Sequence, residues 1–305
     1  MRIALVQVAY DDDETLDARV ERVSTMVRSL ASADVGARSS ERRTQGAPSS
    51  VASAGVVGMP SERRTQGASG VPDLVVLPEL WAPTGFDYRR WEDAAEPLDG
   101  PWVQAMTALA AETGVTLHAG SFVERLPEPG ADGRTLANTS LLVTAEGGRT
   151  AYRKIHRFGF GSGEPKLLEA GADVVTAEVP SGGDGSVTVG LSTCYDLRFP
   201  ELYRRQVDAG AQVFLVPAAW PAARVGHWTL LGRARAIEDQ AFVVQCNTAG
   251  THARTEMGGH SQVVAPTGEV LAEAGSGEEV LIVDIDPGLV ASTREGFPVL
   301  PDRRL

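Results

Sequence analysis

Gly190-Leu191-Ser192-Thr193-Cys194-Tyr195-Asp196-Leu197-Arg198-Phe199-Pro200-Glu201 decides the reading of this chain of 305 residues. The run Val187 to Thr193 is apolar and β-branched, which predicts a buried strand that stops at Cys194. Pro200 suits the first turn of a helix through Glu201, Leu202 and Tyr203. A thiol held where a strand hands over to a helix can face a cleft, with backbone N–H groups behind it directed at a bound anion. That is a suitable seat for a nucleophile and its oxyanion. A free cysteine is more often inert packing, so the cysteine alone decides nothing.

Two further stretches change the balance. Leu74-Val75-Val76-Leu77-Pro78-Glu79-Leu80 is a hydrophobic strand ending in a proline and a carboxylate, and α/β sheets place their chemistry at the C-terminal ends of their strands. Tyr152-Arg153-Lys154-Ile155-His156 closes a strand-like segment, Thr150 to Ile155, with a lysine among aromatic and basic neighbours. Singly, Glu79 could be an ordinary strand-end carboxylate and Lys154 a solvated charge. Together they place Glu, Lys and Cys, in that order, each at the end of a strand.

With these residues in place the chain resembles the nitrilase superfamily of carbon–nitrogen hydrolases, whose catalytic glutamate, lysine and cysteine occur in this order and context. The matching residues are Glu79, Lys154 and Cys194. The likeness continues through Val213 to Pro221, through His227-Trp228, and through Arg233 to Gln240, and covers nearly the whole chain except residues 35–70. The context Cys194-Tyr195-Asp196 is of the amidase type and differs from the Cys-Trp-Glu context of true nitrilases, so the resemblance implies an amide substrate. It also implies a four-layer α-β-β-α sandwich with the active site at one end, between the two sheets.

Composition agrees with a globular enzyme: 43% of residues are hydrophobic and 22% charged, and the length can bury one large core. A net charge of −12 argues against nucleic-acid or anionic-membrane partners. No apolar stretch reaches the length of a membrane span, and since Met1-Arg2-Ile3-Ala4-Leu5-Val6 reads straight into a strand, no signal peptide is expected. Two cysteines make no disulfide framework, so a reducing cytoplasm is expected, with Cys246 as packing in the apolar strand Phe242 to Asn247. The scattered histidines have no zinc spacing; no metal and no cofactor are expected.

Strand-like runs at 3–8, 74–77, 116–123, 139–144, 150–155, 187–193, 213–216, 242–246, 261–265 and 280–285 alternate with helix-like stretches near 14–31, 101–113, 200–209 and 227–239. That order implies an α/β layered sheet. Leu16, Val20, Val23, Val27 and Leu30 form a helical stripe. The octapeptide Ser-Glu-Arg-Arg-Thr-Gln-Gly-Ala occurs at 40–47 and again at 61–68, within a stretch rich in Ser, Ala and Gly. Residues 35–70 are therefore expected to be a duplicated, disordered insertion in a single domain of 1–305, with a basic binding tail as the alternative.

A thiol that attacks an amide needs a base, because its ordinary pKa near 8.5 leaves little thiolate at neutral pH. Glu79 is the expected base, and Lys154 with the backbone N–H of Tyr195 the expected oxyanion donors. Many members of the family carry a second glutamate that orients these groups; Glu164, seven residues before Gly171, fits better than its competitor Glu169. Arg198, Trp220 and His227 are the expected substrate-binding residues, with Trp81, Tyr195 and Trp228 as further candidates for the pocket. Arg198 could clamp a substrate carboxylate or pair instead with Asp196 or Glu201. The local text resembles the ω-amidase-like branch, which implies a small amide with a distal carboxylate such as 2-oxoglutaramate. N-carbamoyl hydrolysis and a catalytically silent binding protein are the alternatives. The family's habit of pairing through helices beside the active site implies a homodimer.

Overall fold

The computed structural model describes residues 1–32, 70–160, 162–182 and 185–304. The insertion expected at 35–70 lies outside them but for Gly70. Strand alternation builds the layers. Ile3, Leu5, Leu74 and Val76 pack into one core together with Leu191, Leu215 and Val244 of a second sheet. Their neighbours Ala4, Val6, Val75 and Leu77 point the other way and meet helices. A period of two in a continuous apolar run thus buries both faces of the first sheet, each Val, Leu or Ile contributing roughly 1.5–3 kcal/mol.

The first sheet runs in the order Glu279–Asp284, Arg2–Gln7, Leu74–Val76, Thr116–Arg125, Leu136–Val143, Arg149–Arg153. The second runs Val270–Glu273, Gln262–Val264, Phe242–Asn247, Val213–Ala218, Ser186–Leu191, Thr176–Pro180. Helices α1 (Leu16–Ala31) and α2 (Pro101–Thr113) cover the first sheet through Val23, Val27, Met106 and Ala110. After the one-turn α3 (Glu164–Leu167) come α4 (Pro200–Asp208) and α5 (Val225–Asp239), which cover the second sheet through Leu202, Tyr203, Trp228 and Ala236. The last helix is α6 (Gly288–Gly296). Helices outside and two sheets inside make the expected four-layer sandwich. No helix among the described residues is long and apolar enough to cross a membrane.

The ends of these elements follow local rules. Thr15 caps α1, its Oγ1 accepting the Ala18 N–H at 3.3 Å, and α2 begins on Pro101 and stops at the left-handed Gly114. Strands Thr176–Pro180 and Val270–Glu273 at the edges of the second sheet, and helix α6, were not among the sequence expectations. The expected strand to Cys194 ends instead at Leu191, and a 3-10 helix, Cys194–Arg198, separates it from α4. Cys246 packs as expected: it is fully buried, and its thiol donates to the Val6 and Val76 carbonyls of the other sheet at 3.4 and 3.2 Å.

One irregularity places Glu79. The pairing of Thr116–Arg125 with Leu136–Val143 shifts register between His118 and Ser121, where Gly120 has φ 74°. At this bulge a Cβ on residue 120 would lie 1.9 Å from the Pro78 carbonyl oxygen. The main chain of Leu77 donates to the His118 carbonyl at 2.9 Å, and that of Leu80 to the Ser121 carbonyl at 3.2 Å, so the bulge holds both sides of Glu79. Gly120→Ala is expected to cost at least about 2 kcal/mol by combining a left-handed φ with a backbone clash. An unchanged urea midpoint for this variant would show that the close approach is not a constraint.

Candidate active site

The charged half of the site comes from the inner face of the first sheet. Thr139 pairs with Arg153 and Ser140 with Tyr152, and the Lys154 N–H donates to the Asn138 carbonyl at 2.9 Å, which continues the ladder. Asn138 therefore opposes Lys154, and both side chains leave the sheet on the same side as Ser140 and Tyr152. Thr139 and Arg153 turn to the opposite face, where both donate to Glu124.

Lys154, only 2% exposed, donates from Nζ to Glu79 Oε1 at 2.8 Å and to Glu164 Oε1 and Oε2 at 3.0 and 2.9 Å. Asn138 Nδ2 bridges the same carboxylates, at 2.8 Å to Glu79 and 3.0 Å to Glu164. The other Glu79 oxygen accepts the Ala219 N–H at 2.9 Å, and Glu164 also accepts the Phe158 N–H. Glu164 opens α3, which follows Gly163 at φ 59°. Each carboxylate thus has donors in addition to the ammonium, the condition under which a buried ion cluster is tolerable. Glu169, the competitor, accepts instead from Asp132 N and Arg134 N at 2.9 and 3.1 Å and fastens a surface turn.

The nucleophile candidate comes from the second sheet. Cys194 sits at φ 48°, a left-handed conformation unusual for a residue with a Cβ, and opens the 3-10 helix. Asp196 holds this corner. Its fully buried carboxylate accepts from Thr193 N at 2.9 Å, Tyr152 Oη at 2.7 Å and His156 N at 2.9 Å, and lies 2.7 Å from His156 Nδ1. The His156 ring in turn stacks on Phe199, with centroids 3.7 Å apart. Thr193 and Ser140 share a hydroxyl hydrogen bond of 2.7 Å across the sheets. The N–H of Tyr195 lies in the first turn of the 3-10 helix and so has no intrahelical partner.

Cys194 is buried and lines the same pocket as Glu79, Lys154 and Glu164. Burial pushes the thiol well above its ordinary range and the Glu79 charge adds to this, against the pull of Lys154. Burial also works against the Lys154 ammonium, but Glu164 and Glu79 outweigh it and hold the amine charged, well above the usual lysine range. Burial raises Glu164, which Lys154 opposes. The resting state is a neutral thiol beside a carboxylate that can take its proton, with a fixed ammonium alongside.

A pocket opens over this cluster. Glu79, Lys154, Glu164 and Cys194 line it, and Phe86, Tyr88, Phe158, Tyr195 and Trp220 wall it. Arg198 and Arg224 also reach it. Arg198 pairs with neither Asp196 nor Glu201: its guanidinium lies 4.6 Å from the Trp220 ring centroid and 3.3 Å from His227 Nδ1. His227 is not among the lining residues and stands behind Arg198. Trp81 and Trp228 are core, their indole N–H groups held by the Ala119 and His260 carbonyls at 2.9 and 2.7 Å. The sequence reading missed Asn138, the Ala219 N–H, Asp196 as the anchor of the corner, and Arg224. For Asn138 a signal existed: alternation of Asn138, Ser140 and Leu142, aligned with Lys154 and Tyr152, sets them on one face.

The neutral thiol has a direct readout. The absorbance difference near 240 nm between the wild type and Cys194→Ala is expected to stay flat from about pH 6 to about pH 9. A step within that window would reveal a thiolate and contradict the electrostatics of the cluster.

Comparison with known proteins agrees with this geometry. The carbon–nitrogen hydrolase family profile matches residues 2–295. A 2-oxoglutaramate amidase of Paenarthrobacter nicotinovorans is 39% identical over 303 residues, 99% of this chain and 89% of that protein. The omega-amidase NIT3 of Saccharomyces cerevisiae is 32% identical over 243 residues, 76% of this chain and 80% of its own. Among solved structures, XC1258 of Xanthomonas campestris, a CN-hydrolase superfamily protein with an arsenic adduct in its active site, superposes with a TM-score of 0.78 at 26% identity, covering 100% of this chain and 97% of that one. Yeast Nit3, of the nitrilase superfamily, superposes at 0.74 and 26% identity, covering 100% and 97%. A family match over nearly the whole length, on a fold with a buried Glu–Lys–Cys cluster at its mouth, makes this chain a member of the carbon–nitrogen hydrolase family.

Proposed function

We propose that the protein is an amidase of ω-amidase type, which hydrolyses a small carboxamide bearing a distal carboxylate through a Cys194 thioester. One observation carries the reading: Cys194 and Glu79 line the same pocket, and Glu79 is paired there with the buried Lys154 at 2.8 Å. The names of the relatives, 2-oxoglutaramate amidase and omega-amidase, support the substrate class.

The chemistry runs on the side chains of the cluster. Glu79 takes the proton of the Cys194 thiol as sulfur attacks the amide carbon and the carbonyl π pair moves to oxygen. The oxyanion is met by the Lys154 ammonium and the Tyr195 N–H, donors fixed before the reaction begins. The intermediate collapses, the C–N bond breaks, and Glu79 returns its proton to the departing nitrogen as ammonia. Glu79 then takes a proton from water, whose oxygen attacks the thioester. The second intermediate expels the Cys194 sulfur, which recovers its proton from Glu79, and leaves a carboxylic acid. Glu164 and Asn138 hold Lys154 and Glu79 in place through their hydrogen bonds.

The same reading makes the enzyme cytoplasmic, where the thiols of Cys194 and Cys246 stay reduced, and a homodimer. Support for pairing comes from α5, whose outer face exposes Leu230 at 64% and Ile237 at 53%, beside α4.

Ammonia release from glutaramate is expected in the wild type and is expected to vanish in Cys194→Ala and Glu79→Gln. Glu164→Gln is expected to lower kcat by about 10²-fold or more, since it loosens the oxyanion donor. Wild-type turnover in Glu164→Gln would remove that residue from the mechanism. Carbon dioxide released with ammonia from N-carbamoyl acids, and none from amides, would replace the substrate class. Light scattering at micromolar concentration is expected to give twice the chain mass, and a monomer would refute the dimer.

A further inference from the structure

The two arginines at the pocket belong to a closed ring of contacts. The Arg198 guanidinium lies over Trp220, 4.6 Å from its centroid, and Trp220 Nε1 donates to the Arg224 carbonyl at 2.8 Å. The Arg224 guanidinium lies 5.8 Å from the Phe158 centroid. Phe158 meets Tyr195 edge to face at 5.4 Å, and the Tyr195 centroid is 5.9 Å from the Arg198 guanidinium, which closes the circuit. All five residues line the same pocket as Cys194. Among the described residues neither arginine forms an ion pair with a carboxylate, although the chain has 40 acidic residues against 28 Lys and Arg. The collar is thus cationic and aromatic, whereas the floor holds two carboxylates against one ammonium.

We infer that Arg224 is a second specificity-determining residue, which joins Arg198 in holding the substrate carboxylate at the collar so that only the amide end reaches Cys194. The substrate end rests on the amidase reading above; the collar itself does not. A carboxylate that went down to the floor would meet Glu79 and Glu164, and like charges disfavour that orientation. At the collar it meets two planar, permanently charged forks. Both forks rest on aromatic faces, which limits their freedom before binding. Trp220 fixes Arg224 through the backbone carbonyl, so replacing the side chain leaves that anchor in place.

The experiment compares glutaramate with pentanamide, which has the same chain length without the carboxylate. The readout is the ratio of their kcat/KM values. Arg224→Ala is expected to lower the ratio about tenfold, the lower end for a charge-assisted contact at a partly open site. Arg224→Lys is expected to recover part of it by restoring charge without the fork. The double variant Arg198→Ala/Arg224→Ala is expected to lose less than the product of the two single losses, because one carboxylate is shared. A wild-type ratio in Arg224→Ala overturns the proposal, and fully multiplicative losses overturn the shared carboxylate. Calorimetry of glutaramate binding to Cys194→Ala, with and without Arg224→Ala, separates the two readings. Binding that depends on Arg224, with a wild type that hydrolyses neither amide, would sustain the collar and sink the amidase reading. Equal affinity in both proteins would sink the collar whatever the turnover.

Discussion

The buried ammonium of Lys154 between Glu79 and Glu164 is the constraint to which the rest of the site is fitted. Removing one partner from a buried cluster of this kind costs about 3–5 kcal/mol, because the remaining charges keep their desolvation without the compensating attraction. Two carboxylates share one ammonium, so the surplus negative charge has to be met by other donors. The Asn138 amide, the Ala219 N–H and the Phe158 N–H supply them from three separate places in the chain. Burial, with the Glu79 charge adding to it against the pull of Lys154, holds the neighbouring thiol well above its ordinary range. The cluster therefore does not present a ready-made thiolate; it presents a carboxylate and a fixed cation, the pair that the proposed mechanism uses as base and oxyanion donor.

Assembly of the site depends on two sheets meeting in one relative position. Glu79, Asn138 and Lys154 come from the first sheet, Cys194 and Ala219 from the second. Hydrophobic burial holds the layers together but is indifferent to small slides between them. Directional contacts fix the slide: Thr193 to Ser140, Tyr152 to Asp196, and Cys246 to the Val6 and Val76 carbonyls. Asp196 has the central part. By engaging His156, Tyr152 and Thr193 at once, it ties the left-handed corner at Cys194 to the segment that follows the lysine. An isolated left-handed cysteine is costly, and such strain persists where the surroundings over-determine it.

The legible parts of the sequence were those written in local chemistry. Apolar runs gave ten strands of the two sheets to within a few residues, since burying both faces requires an uninterrupted hydrophobic stretch. Glu79, Lys154 and Cys194 were legible because each ends such a run. Thr176–Pro180 was not, because an edge strand with one face open to solvent has weak alternation and here ends in a proline. Asp196 reads in sequence as a partner for Arg198 two positions on; only the fold brings His156 and Tyr152 to it. The Ala219 N–H is backbone and has no sequence signature. Arg224, exposed and directly after the pair Ala222-Ala223, reads as an ordinary surface cation until the pocket closes around it.

The wall of that pocket is secured from behind by a group with no part in the reaction. Arg19 of α1 is 1% exposed and donates to the Trp81 and Ala82 carbonyls and to Thr84 Oγ1 at 3.0, 3.2 and 3.1 Å. These residues form the loop between Glu79 and the pocket residues Gly85, Phe86 and Tyr88, and two of its members, Leu80 and Thr84, have positive φ. The guanidinium also lies 3.8 Å over the Tyr10 ring, which stacks on His252 at 4.3 Å. Burial lowers His252 to about 4, so the stack stays neutral on that side and does not repel the arginine near neutral pH. One buried cation thus replaces the hydrogen bonds that a strained loop cannot make with itself. A net charge of −12 spread over the surface would repel an anionic substrate at long range, but screening confines that effect to roughly 8 Å at physiological salt. What an approaching carboxylate would meet is set by the nearest groups, Arg198 and Arg224, across the pocket from the loop that Arg19 holds.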